Sequence, residues 1–157
     1  MSLIQIPGWG AVDIRHLVLD YNGTIALDGT MLPTVRQQLQ EIHQQGIAIH
    51  VITADTNGTA RAACQGMDIQ LHIHQGDAVA LEKQKLVQEL GPEHTVCMGN
   101  GRNDLGMFQT GALSVCIIGG EGAYVPTLLA AQLAVTNITD GLDLLIRPHR
   151  LCASLRG

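Results

Sequence analysis

Three apolar runs in this chain stop at polar residues of the kind that handle phosphate and hard cations. Arg15-His16-Leu17-Val18-Leu19-Asp20 leads into Tyr21-Asn22-Gly23-Thr24, and Gly46 to Thr53 leads into Ala54-Asp55. A third run ends in Gly99-Asn100-Gly101-Arg102-Asn103-Asp104. A carboxylate placed directly after an apolar strand, as Asp20 is, can face a ligand from a partly desolvated position. Gly23 and Thr24 let the chain turn sharply around it and offer backbone amides to an anion. Thr53 brings a small hydroxyl able to bond a phosphoryl oxygen, and Asn100, Asn103 and Asp104 are oxygen donors suited to Mg²⁺. Lys83 and Lys85 stand near the start of an expected helix. Each feature also has an ordinary use: a turn at Asn22-Gly23, a helix cap at Thr53 or Asn103, solvated charges at the lysines. Their order and their convergence on one edge are what single them out.

The elements that must position these residues follow from hydrophobic pattern. Residues 15–20, 46–53, 69–74, 95–98, 113–118 and 133–136 read as buried strands. Helices are expected over 33–45, which starts with Pro33 and is followed by Gly46, and over 59–65, 78–90, 103–109 and 122–131. Strands alternating with amphipathic helices imply a mainly parallel, doubly wound α/β sheet covered on both faces, which binds ligands at the carboxyl ends of its strands. No linker, repeat or low-complexity segment interrupts the chain, so residues 1–157 read as one domain.

Composition narrows the class further. Of 157 residues, 46% are hydrophobic and only 3% aromatic, so the core rests on aliphatic side chains and offers no stacking platform for single-stranded nucleic acid. Nine Lys and Arg against 14 Asp and Glu give a net charge of −5, and no basic block follows a phosphate backbone or an anionic membrane. No run is long enough to span a bilayer and no secretory signal is visible, which points to the cytoplasm. Cys64, Cys97, Cys116 and Cys152 lie singly among apolar neighbours and read as buried thiols. His72 and His74 share a strand face without an evident third ligand, and Trp9 reads as a packing residue.

From Arg15 to about Gly141 the chain resembles the haloacid dehalogenase-like (HAD) superfamily, whose phosphatases and P-type ATPases use an aspartate as nucleophile on phosphorus. Asp20-Tyr21-Asn22-Gly23-Thr24, with Asp28 beyond it, looks like the nucleophile loop and flap. Thr53 matches the second motif, Lys83 in Glu82-Lys83-Gln84-Lys85 the motif lysine as P-type ATPases place it, and Gly99 to Asp104 the acidic metal loop. The likeness is greatest to small soluble relatives of the P-type ATPase phosphorylation domain. It implies a phosphatase in which Asp20 forms an aspartyl phosphate and Asn22, Thr53 and Lys83 complete the catalytic set. Gly23, Thr53, Ala54 and Lys83 would bind phosphate, and Asp20, Asn22, Asn100 and Asp104 would hold Mg²⁺.

Two departures matter. Superfamily phosphatases carry an acid-base Asp two residues after the nucleophile, where this chain has Asn22; an amide transfers no proton at neutral pH, so turnover should be slow. Asn100 stands where the metal loop usually begins with Asp, which weakens the expected Mg²⁺ site. The rival reading is a phosphate-binding or regulatory module without useful turnover. About 32 residues separate Asp20 from Thr53 and about 29 separate Thr53 from Lys83, spans already filled by core elements, so no cap domain fits. The implied substrate is a small phosphorylated molecule or a phosphate on a larger one, and the implied assembly a homo-oligomer. The apolar stretch Leu142 to Ile146 either serves that interface or packs as a last helix.

Overall fold

A computed structural model describes residues 2–54 and 58–157; Asp55, a candidate site neighbour, lies outside them. The chain opens with an antiparallel hairpin, β1 (Ser2–Ile6) and β2 (Gly10–Ile14), and enters the central sheet at β3 (His16–Asp20). A second small hairpin, β4 (Ala26–Leu27) and β5 (Thr30–Met31), precedes α1 (Pro33–Gln44). There follow β6 (Ala48–Thr53), α2 (Thr59–Cys64), β7 (Ile69–Ile73), α3 (Val79–Leu90) and β8 (Thr95–Gly99). The remainder is α4 (Leu105–Thr110), β9 (Leu113–Ile117), α5 (Val125–Ala130), β10 (Leu133–Val135), α6 (Ile138–Ile146) and α7 (Pro148–Leu155).

The six long-range strands run in the order β10-β9-β8-β3-β6-β7, and every pairing among them is parallel. This is the doubly wound Rossmann-like α/β sheet. Alternation within β3 shows why both faces must be covered. Leu17 and Leu19 enter the larger cluster with Val35, Leu39 and Ile42 of α1 and Leu142 and Leu145 of α6. Val18 points the other way, to Leu86 and Val87 of α3 and Phe108 of α4. Removing each fully buried aliphatic side chain from water contributes about 1.5–3 kcal/mol, so the α1 stripe alone makes that helix inseparable from the sheet.

Several expectations change here. The expected helix over 103–109 begins as a 3-10 turn, residues 102–104, before α4, and the helix over 122–131 shrinks to α5. Leu142 to Ile146 packs within α6, with Leu142, Leu144 and Leu145 buried. Trp9 is no packing residue: it sits at the β1–β2 turn, 44% exposed. Cys64, Cys97 and Cys116 are buried and Cys152 is half-buried, all four as free thiols. Among the described residues, no helix is long and apolar enough to cross a membrane.

Candidate active site

Asp20 is the last residue of the central strand β3, and Thr53 and Gly99 end the strands on either side of it, β6 and β8. Three chain reversals therefore open on one sheet edge. There they line a cavity of about 1030 Å³ with Asp20, Asn22, Thr53, Ala54, Asn100 and Asn103, together with Asp77, Arg102 and Glu121. The sequence reading brings the first six and Arg102, within the 99–104 loop, to this edge; it takes Gly119 to Gly122 for a turn that could approach a phosphate and passes over Asp77. For Glu121 the available signal was an acidic residue among glycines, Gly119 to Gly122, after the β9 strand.

Lys83 rises from α3 behind Asp20 and is fully buried. Its Nζ donates to Asp20 Oδ1 at 2.8 Å, Asp104 Oδ1 at 2.7 Å and Asn103 Oδ1 at 2.8 Å. An ammonium has three protons, so this set is complete. In this arrangement Lys83 orients Asp20 and the β8 loop from behind the cavity wall.

Asp104 completes the same network. Both of its oxygens are engaged, Oδ1 by Lys83 and Oδ2 by the amides of Asn100 at 3.0 Å and Gly101 at 2.9 Å, and it is fully buried. In this arrangement it braces and caps the 99–104 loop. The Gly23 amide donates to Ala26 O at 2.7 Å. What Gly23 supplies is room. At φ +76° a Cβ there would stand 2.6 Å from both Asn100 Nδ2 and Glu121 Oε2.

The electrostatics follow from one ammonium shared by two carboxylates. Burial and the charge of Asp104 push Asp20 up to about 7, against the pull of Lys83. Burial disfavours the charge on Lys83, but Asp104 and Asp20 more than offset it and hold its pKa above the ordinary lysine value. The pair of carboxylates is one positive charge short, which is what a cation beside Asp20 would correct. The donors facing the cavity, Asp20 carboxylate with Asn22 and Asn100 oxygens, fit Mg²⁺, which keeps several waters and takes one or two carboxylates plus substrate phosphate. Among the described residues no three His, Cys, Asp or Glu side chains gather as a metal cluster, so amide oxygens and water must carry much of that coordination.

The fold is shared with known proteins. The fold is that of 3-deoxy-D-manno-octulosonate 8-phosphate phosphatase from Moraxella catarrhalis, solved with magnesium, phosphate and KDO (TM-score 0.73, 15% identity, 91% of this chain and 94% of that one). The cobalt-bound deoxy-D-mannose-octulosonate 8-phosphate phosphatase of Haemophilus influenzae gives 0.71 at 14% identity, covering 92% of this chain and 94% of that one. A phosphoserine phosphatase gives 0.68 at 12%, covering 86% of this chain and 99% of that one. In sequence, an uncharacterized protein of Methanocaldococcus jannaschii is 38% identical over 80 residues, 48% of this chain and 86% of that protein. The copper-transporting ATPase ccc2 of Schizosaccharomyces pombe is 28% identical over 110 residues, 62% of this chain but 12% of the ATPase. No family model matches. The chain has the fold of solved HAD family hydrolases.

Proposed function

We propose that this protein is a Mg²⁺-dependent phosphohydrolase acting through Asp20. The observation that carries this reading is Asp20 itself: at the carboxyl end of the central strand, facing the cavity, with Oδ1 fixed 2.8 Å from the buried Lys83. Oδ2 accepts a long contact from Thr24 Oγ1 at 3.4 Å, and the Tyr21 backbone also hydrogen-bonds the carboxylate. In the proposed reaction Asp20 forms a bond to phosphorus as the bond to the leaving oxygen breaks, giving an aspartyl phosphate that water then hydrolyses to inorganic phosphate. Thr53 and Ala54, at the end of β6, are the groups placed to meet phosphoryl oxygens. Mg²⁺, when bound by Asp20, Asn22 and Asn100, would supply positive charge for the transferring group. Lys83 fixes the attacking carboxylate, and Asp104 fixes the loop that carries Asn100.

Asn22 occupies the acid-base position, so the leaving group departs without a protein proton and water attacks without a protein base. Loss of general acid-base catalysis is worth about 10²–10⁴-fold, and turnover on poor leaving groups is correspondingly slow. The reading includes a cytoplasmic protein, in keeping with its free thiols, and a homo-oligomer, in keeping with the exposed Leu27, Tyr124, Val125 and Leu129. Its substrate is a small phosphorylated molecule or a phosphate on a larger one.

The test is p-nitrophenyl phosphate hydrolysis at high protein concentration, with and without Mg²⁺, for the native chain and Asp20→Asn. The good leaving group makes the missing acid unimportant. Mg²⁺-dependent release that vanishes in the variant is the expected result. Equal inertness of both proteins, with phosphate still raising Tm, would overturn it in favour of a binding module.

A further inference from the structure

One acidic residue on the cavity wall has no part in the mechanism above. Glu121 sits in the tight turn after β9, closed by Gly122 N donating to Gly119 O at 2.9 Å. That turn is clamped to Asn100 twice: Asn100 Nδ2 donates to Gly122 O at 3.3 Å, and Tyr124 N donates to Asn100 O at 2.8 Å. Its other flank lies on the nucleophile loop, where Gly119 approaches the Gly23 carbonyl and the Glu121 carboxylate overhangs the Gly23 Cα. Glu121 Oε2 and Asn100 Nδ2 stand at equal distances from the one point that a Gly23 side chain would fill. The residue before Gly23 is Asn22, which with Asn100 and Glu121 lines the same cavity as Asp20.

Charge gives this placement its meaning. Asn100 is neutral where the loop would otherwise offer a carboxylate, and Asp104 is spent on Lys83 and two amides. Asp20 alone leaves a divalent cation short of anionic partners, since Lys83 already claims one of its oxygens. Hard cations select by the number and charge of their oxygen ligands. A carboxylate placed across the Gly23 Cβ position from the Asn100 amide restores the charge that the amide lacks. Asp77 also faces the cavity, from the 3-10 turn, residues 76–78, that precedes α3.

Resting on the phosphohydrolase reading, we propose that Glu121 is a donor to the divalent cation of this cavity, taking over from the β9 turn the charge that Asn100 does not provide. The site is thus assembled from the ends of β3, β8 and β9. Glu121 is exposed at its turn, so replacing it removes charge without opening the core.

The experiment is Mn²⁺ titration followed by the EPR signal of the free ion, without substrate, on the native chain, Glu121→Gln, Asp77→Asn and the double variant Glu121→Gln/Asn100→Asp. Glu121→Gln is expected to weaken Mn²⁺ binding about tenfold or more, a loss typical of a damaged metal site. Asp77→Asn should leave it nearly unchanged, and the double variant should recover most of the affinity. Native-like binding by Glu121→Gln, or an equal loss in Asp77→Asn, overturns the assignment of Glu121 while leaving the phosphohydrolase reading intact. A native chain that binds no Mn²⁺ overturns both.

Discussion

At Lys83 three N–H bonds meet three oxygens, and nothing is left over for a substrate. Removing the ammonium would strand two buried carboxylates against each other. Lys83→Met is therefore expected to cost about 3–5 kcal/mol in urea unfolding at pH 8, the loss usual for a buried ion pair stripped of one partner. Adding Asp20→Asn to that variant should return part of the stability, because a single carboxylate then remains. Asn22 supports the opposite kind of experiment. Asn22→Asp is expected to raise hydrolysis of a phosphate ester with a poor leaving group by about 10²–10⁴-fold, with a much smaller effect on p-nitrophenyl phosphate. A gain of equal size on both substrates would show that the new carboxylate is not delivering a proton. Residue types and their order made Asp20, Thr53, Lys83 and the 99–104 loop legible in the sequence. The allotment of roles was not, because whether a lysine meets substrate or carboxylate depends on which way α3 turns its face, and Asp104 could be a ligand or a brace until its partners were known.

Across β3, β6 and β7 three histidines form a row on the face that meets α3. His50 Nε2 lies 3.3 Å from His16 Nδ1, and His50 Nδ1 lies 3.4 Å from His72 Nε2. Burial, then the neighbouring His16 and His72, lowers the pKa of His50 from 6.5 to about 4. The unfolded chain thus takes up this proton first, and the row's contribution to stability falls as pH drops from about 6.5 towards 4. Asp20 acts in the other direction over much of the same range. Its pKa of about 7 in the fold exceeds the ordinary 3.8, so the native state binds that proton more tightly and gains stability as pH falls from 7 to 4. Urea midpoints measured in EDTA should separate the two. Asp20→Asn is expected to keep only the acid-induced loss, and His50→Gln only the gain. The same scale shows which elements the sequence disclosed. Strands with long apolar runs were plain, whereas β1 and β2 are short and half-exposed, and their alternation (Ile4, Ile6, Val12, Ile14) went unread beside the stronger signals. The tail helix α7 was also missed, since only Leu151 of it is fully buried and its placement depends on that hairpin, where Cys152 Sγ meets Gln5 O and Gly157 N donates to Pro7 O at 3.1 Å.

The molecule as a whole places its core behind the site and very little in front of it. Between β3 and α1 the described chain spends only the two-residue strands β4 and β5 on a flap, and between β7 and β8 only α3 with its flanking turns. Tyr21 Oη ties that flap down, its single proton within reach of Gly29 O at 3.1 Å and Thr59 O at 3.3 Å. Absence of a cap was readable from the motif spacing, because the intervening residues were already needed for helices. The β9 turn carrying Glu121 was not, since a lone acid among glycines acquires meaning only when the fold lays it across Gly23. The tethered flap bears on the time course of turnover. Where a lid must swing aside, product escape often limits the rate and slows as the medium thickens. Here bond-making should limit instead, so kcat for p-nitrophenyl phosphate is expected to hold steady as sucrose raises solvent viscosity, while an inverse dependence would reveal a moving part.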